Sequence, residues 1–99
     1  MAKRRIAPVH PGVFLAELLE ELGLSQARLA GDIHVSAMRI SHVVHAKRPV
    51  TAELALLLGR YFGQDPRYWL NLQSRYDMDV AEANFSVAAQ RIRPFKAVA

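Results

Sequence analysis

The sequence predicts a small all-α domain of five helices followed by a short extended tail. Three observations carry that reading. Apolar residues recur at three- and four-residue spacing through most of the chain. Those stretches begin at Ser, Thr, Asp or Pro, and two end at Gly. Regular alternation of polar and apolar residues is confined to the C-terminal end. The 99 residues fit one domain, taken as 1–99.

Helix 1, about 12–22, opens at Pro11-Gly12 and carries Phe14, Leu15, Leu18, Leu19 and Leu22 on one stripe. Glu17, Glu20 and Glu21 lie off that stripe, and Gly23 is placed as a C-cap. Ser25 caps helix 2, whose buried side is Leu29, Ala30 and Ile33. Ser36 caps helix 3, with Ile40, Val43 and Val44 inward and Ala37, Arg39, Ser41 and His42 mostly outward. His45 to Pro49 breaks the pattern. Thr51 caps helix 4, which holds Leu54 to Leu58, Tyr61 and Phe62 and stops at Gly63. Asp65-Pro66 starts helix 5 over 65–84, because Asp accepts from free N–H groups and Pro sits where no donor is needed. Tyr68, Trp69, Leu72 and Tyr76 share a side of it, and Asp77 and Asp79 mark a place where it can loosen. In the tail, 85–99, Gln90 to Lys96 alternates polar and apolar residues around Pro94, which reads as an extended edge segment.

Composition excludes several functions. Hydrophobic residues make up 52% of the chain, too many for a disordered basic linker. Cys is absent, which removes disulfides, thiolate metal sites and Cys nucleophiles. The longest apolar run, Leu54 to Leu58, is far short of the roughly 20 residues of a spanning helix. The basic start, Met1 to Arg5, is not followed by the apolar stretch of an export signal, so the expected location is cytoplasmic and no membrane partner is expected. The net charge of +4 is concentrated: Arg28, Arg39, Lys47 and Arg48 oppose Asp32 alone within 25–48. Elsewhere the charges nearly cancel, so this segment is the place for a polyanion.

The same segment holds two Ser-capped helices joined by a turn at His34-Val35, the layout of a helix-turn-helix. So short a turn makes the helices cross steeply and one of them project. Helix 3, about 36–45, then enters a DNA major groove with Ala37, Met38, Arg39 and His42 toward base edges. Gln26 and the Ser36 cap fall near phosphates, where helix N-termini and amides bind anions. Lys47 and Arg48 follow the helix and are candidates for phosphate contacts. Arg39 is the leading base reader, since a guanidinium matches guanine O6 and N7. A phosphate contact or a solvated arginine is its other reading. Met38 serves either a thymine methyl or the core. Lys3-Arg4-Arg5 reads as a minor-groove arm or as a plain terminus.

Four histidines raise the question of a metal, and His42 and His45 stand three apart. No Cys and no nearby acid completes a set of three or four ligands. Ser25 and Ser36 are explained as caps, and no phosphate loop or nucleophile elbow is present. No catalytic group, metal or cofactor is expected.

A resemblance adds to this reading. His10-Pro11-Gly12, Gly23-Leu24-Ser25-Gln26, Leu29-Ala30, Val35-Ser36, Arg39-Ile40-Ser41, Lys47-Arg48, Val50-Thr51 and Tyr68 to Gln73 resemble the HigA antitoxins, members of the Xre/Cro-like phage-repressor class. The likeness runs from about Val9 to Val80. It implies a lambda-repressor-like fold with a helix-turn-helix core over 9–63. It also implies a homodimer on double-stranded operator DNA of its own promoter, and a RelE-like ribonuclease toxin from the same operon held inactive. Two positions depart from the family pattern. His34 stands where the turn usually has a glycine at positive φ, and His45-Ala46-Lys47 replaces Asn-Gly-Lys, which leaves the exit from helix 3 open. Seven of the eight aromatics lie in the second half. Trp69, Tyr76, Phe85 and Phe95 on helix 5 and the tail therefore form either the dimer contact or the rest of the monomer core. The Glu17, Glu20 and Glu21 face is either solvated or turned to a basic toxin. A repressor without a toxin partner, and an interaction module that has lost DNA binding, are the competing functions.

Overall fold

Polar caps divide the chain into six helices in the computed structural model, which describes residues 7–96. They are α1 (Pro11–Leu22), α2 (Gln26–Asp32), α3 (Ala37–Val44), α4 (Ala52–Phe62), α5 (Pro66–Ala83) and α6 (Val87–Gln90). Ser25, Ser36 and Thr51 each accept the backbone N–H three residues on, at 3.0, 3.1 and 3.2 Å, and Asp65 accepts from Arg67 N at 2.9 Å. α1 is capped by an imidazole: His10 Nδ1 accepts from Gly12 N at 2.9 Å. Gly23 and Gly63 end α1 and α4 in the left-handed conformation.

α2 packs on α3, α4 packs on α5, and α1 touches both α3 and α5. Leu15 and Leu19 of α1, Leu29 of α2, Ile40 and Val43 of α3, Leu54 and Leu58 of α4 and Trp69 of α5 fill the space between them. Trp69 is fully buried, and its Nε1–H donates to Gln64 Oε1 at 2.8 Å. One crossing is much tighter than side-chain packing allows. A Cβ on Gly12 would lie 2.0 Å from the Val43 carbonyl oxygen and 2.9 Å from that of Val44, so the first turn of α1 rests directly on the end of α3.

The helix bounds agree with those expected, with two differences. α5 runs unbroken past Asp77 and Asp79, and the Asp77 carboxylate accepts from Gln73 Nε2 at 2.9 Å one turn back. The tail contains one helical turn, Val87–Gln90, because the Ser86 hydroxyl caps Ala89 N at 3.0 Å ahead of two alanines. Beyond it, 92–96 is irregular and exposed, and no strand occurs among the described residues. The expected edge segment therefore has no sheet to join. The Lys3-Arg4-Arg5 arm lies outside the described residues. No helix among the described residues is long and apolar enough to cross a membrane.

Candidate nucleic-acid interface

The turn between α2 and α3 is built by backbone bonds. Ile33 N donates to Leu29 O and Val35 N to Ala30 O, both at 3.0 Å, while His34 between them takes φ 63°. The position where the family usually has glycine is left-handed here too, held by a residue for which that region is uncommon. Ser36 then starts α3, and Ile40 and Val43 sink into the core.

That burial turns the opposite face outward. Ala37 and Met38 are exposed, Met38 at 68%, which settles its alternative in favour of the surface. Ser41 and His42 are half-buried beside them. Gln26, half-buried, is the first residue of α2, and the Ser36 hydroxyl stands at the start of α3. Lys47 and Arg48 are exposed on the loop after α3.

The exit from α3 has the left-handed form despite its sequence: Ala46 takes φ 60°, and the Lys47 and Arg48 N–H groups both reach His42 O, at 2.7 and 3.2 Å. His45 folds back, its Nδ1 2.8 Å from Ser41 O, so it does not join His42 as a second free imidazole. No group of three acidic or imidazole side chains that could hold a metal occurs among the described residues.

The loop is anchored behind by a buried polar chain. Val50 N donates to Gln73 Oε1 at 2.7 Å, with Gln73 and Val50 both buried. Beside it the buried His10 packs edge-on against Tyr76, with ring centroids 4.9 Å apart. Burial lowers the His10 pKa below its ordinary value, and hydrogen bonding to the Arg48 backbone and the charge of Asp77 oppose that shift.

Arg39 is placed differently from a free groove residue. Its Nη1 donates to Glu53 Oε1 at 3.0 Å and its Nη2 to Thr51 Oγ1 at 3.1 Å, both at the start of α4. At the far end of α4, the Tyr61 hydroxyl donates to Asp32 of α2, and Arg28 Nε reaches the same carboxylate at 2.9 Å. These two donors, Tyr61 first, hold the Asp32 carboxyl below the usual range, and the shared bond pushes the Tyr61 hydroxyl up.

Of the four aromatics read as either dimer contact or monomer core, Trp69 takes the second place: it has no exposed surface and belongs to the core of its own chain. Tyr76 is half-buried against His10, whereas Phe85 and Phe95 are 54% and 91% exposed. Sequence reasoning missed the roles of Glu53, Gln73 and Gly12 in bracing α3 and its exit. Their partners lie 14 to 32 residues away in the chain, and spacing within a helix carries no sign of them.

Comparison with known proteins agrees with this geometry. A family model described as helix-turn-helix (HTH_3) matches residues 15–69. "Virulence-associated protein I" of Dichelobacter nodosus is 46% identical over 81 residues, covering 81% of this chain and 75% of that protein. The structure of an addiction module antidote protein of the HigA family from Coxiella burnetii superposes with a TM-score of 0.85 at 34% identity, covering 91% of this chain and all of the other. Pseudomonas aeruginosa antitoxin HigA, solved with the higBA promoter, gives 0.82 at 37% identity, covering 90% and 99%. The chain belongs to the helix-turn-helix family of Xre-type regulators, in the group that contains the HigA antitoxins.

Proposed function

We propose that this chain is the antitoxin of a type II toxin–antitoxin module. As a homodimer it binds operator DNA in its own promoter through α3, represses that operon, and binds and neutralises a RelE-like ribonuclease toxin encoded beside it. The observation that carries the DNA part is a recognition face of exposed Ala37 and Met38 and half-buried His42, followed in the chain by the exposed Lys47 and Arg48 at the helix exit. Apolar Ala37 and Met38 suit thymine methyls, and His42 suits a polar base edge. Gln26, Ser36, Lys47 and Arg48 supply phosphate contacts that fix the register of α3 in the groove. The similarity to an antitoxin solved with its promoter supports this reading.

The test has two arms. The chain should retard a duplex of the DNA upstream of its gene more strongly than a scrambled duplex. Lys47→Ala should weaken both and lower the salt slope by about one. Co-expressed with the adjacent open reading frame, the chain should co-purify with a small basic protein. Retardation without co-purification would identify a stand-alone Xre-type repressor, and no retardation would sink the DNA reading.

A further inference from the structure

We propose that Arg39 is a positioning residue: through Glu53 and Thr51 it sets the pose of the recognition helix against α4 instead of reading a base. The proposal rests on the DNA-binding function above. Arg39 lies in the first turn of α3, next to Ala37 and Met38, so its side chain controls the part of the helix that must enter the groove. Its side chain is only 25% exposed, and both terminal nitrogens are engaged.

The acceptors are well chosen. Thr51 Oγ1 already caps α4 by accepting from Leu54 N, and its remaining lone pair takes the guanidinium. Glu53 lies in the first turn of α4, where negative charge is favoured, and it offsets the positive helix end that the guanidinium approaches. α4 packs most closely on α5, and polar side chains also tie it to the helix-turn-helix. Arg39 makes one tie at one end of α4, and Tyr61, bonded to Asp32 of α2, makes the other at the far end. The two ties stand about 12–15 Å apart along the helix. α4 thereby acts as a splint across the α2–α3 pair. A guanidinium already paired with a carboxylate also has little net charge to offer a phosphate.

The sign of one substitution separates the readings. Removing Glu53 deletes a negative charge, which by electrostatics alone strengthens DNA binding, and it frees Arg39 for a base. If Arg39 positions α3, Glu53→Ala instead weakens binding to the promoter duplex, by about two- to fivefold, as expected for a partly exposed ion pair. Arg39→Ala loses the same factor, and the double variant is no worse than either single one. Binding to a scrambled duplex is not weakened in Glu53→Ala, and Glu53→Gln, which keeps an acceptor for Nη1, recovers part of the promoter-specific loss. Helix content by circular dichroism is the same in every variant.

Equal or tighter binding by Glu53→Ala overturns the proposal. So does a loss of preference at one base pair in Arg39→Ala alone, the mark of a base reader, or a fall of about one in its salt slope on both duplexes, the mark of a phosphate contact. An unaltered chain that does not distinguish the two duplexes overturns the DNA-binding function and this proposal together. Promoter binding by the unaltered chain, with no weakening in Glu53→Ala, overturns the proposal alone.

Discussion

At the residue scale, the ends of the recognition helix are held in a conformation that side chains disfavour. His34 and Ala46 sit at φ 63° and 60° on either side of α3. The left-handed region costs an L residue about 1–2 kcal/mol, and glycine gives back part of that gain through its freedom in the unfolded chain. Ala46→Gly should therefore raise stability by about 0.5–1 kcal/mol, read from urea midpoints at constant slope. His34→Gly should gain less, since His occupies this region more readily than Ala. A second residue, His10, ties stability to pH. Its folded pKa lies below the unfolded value, so the folded chain binds fewer protons and stability rises with pH. Its contribution is complete above the unfolded pKa, about 6.5, and is lost as pH falls through the folded value. Protonated Nδ1 can no longer accept from Gly12 N. Urea titrations at several pH values should show this slope, and His10→Asn, which keeps a cap, should flatten it.

At the scale of elements, the tightest joint is the contact between α1 and α3. Gly12→Ala drives a methyl into two backbone carbonyls that cannot rotate away. It should cost about 2–3 kcal/mol in thermal or urea unfolding, as overpacking does. Gly31→Ala is the control: a Cβ there meets nothing within 4 Å, and the exchange inside α2 should stabilise by up to about 1 kcal/mol. The contrast also separates what could be read from the chain. The caps at Ser25, Ser36, Thr51 and Asp65 are local bonds between neighbours, so the helices and the exposed face of α3 were legible. The bonds from Arg39 to Glu53 and from Val50 to Gln73 form only after helices pack, and no periodicity encodes them. Arg39 thus looked like a free groove residue. Trp69 was legible as an aromatic on α5 but not as one enclosed by its own chain.

At the scale of the whole molecule, the core leaves α6 and the tail uncovered. Phe85, Val87, Ile92 and Phe95 are all more than half exposed, on a segment that contributes no side chain to the core. A homodimer that places two recognition helices about one DNA turn apart needs an interface, and we propose that these residues supply it. A chain ending at Asn84 should keep α1 to α5 folded, lose dimer mass in sedimentation equilibrium, and bind promoter DNA more weakly. If it stays dimeric, the interface lies on α1 to α5.

The outline of the chain has a consequence of its own. Over the described residues its principal extents are 56 × 33 × 22 Å, and its radius of gyration of 17.6 Å exceeds the roughly 13 Å usual for about 100 compact residues. A body so drawn out meets more friction than a sphere of equal mass. A single copy therefore tumbles slowly and leaves a sizing column early, at the place of a heavier round protein. Elution volume alone would count one copy as more than one, whereas sedimentation equilibrium, in which friction cancels, weighs the chain correctly.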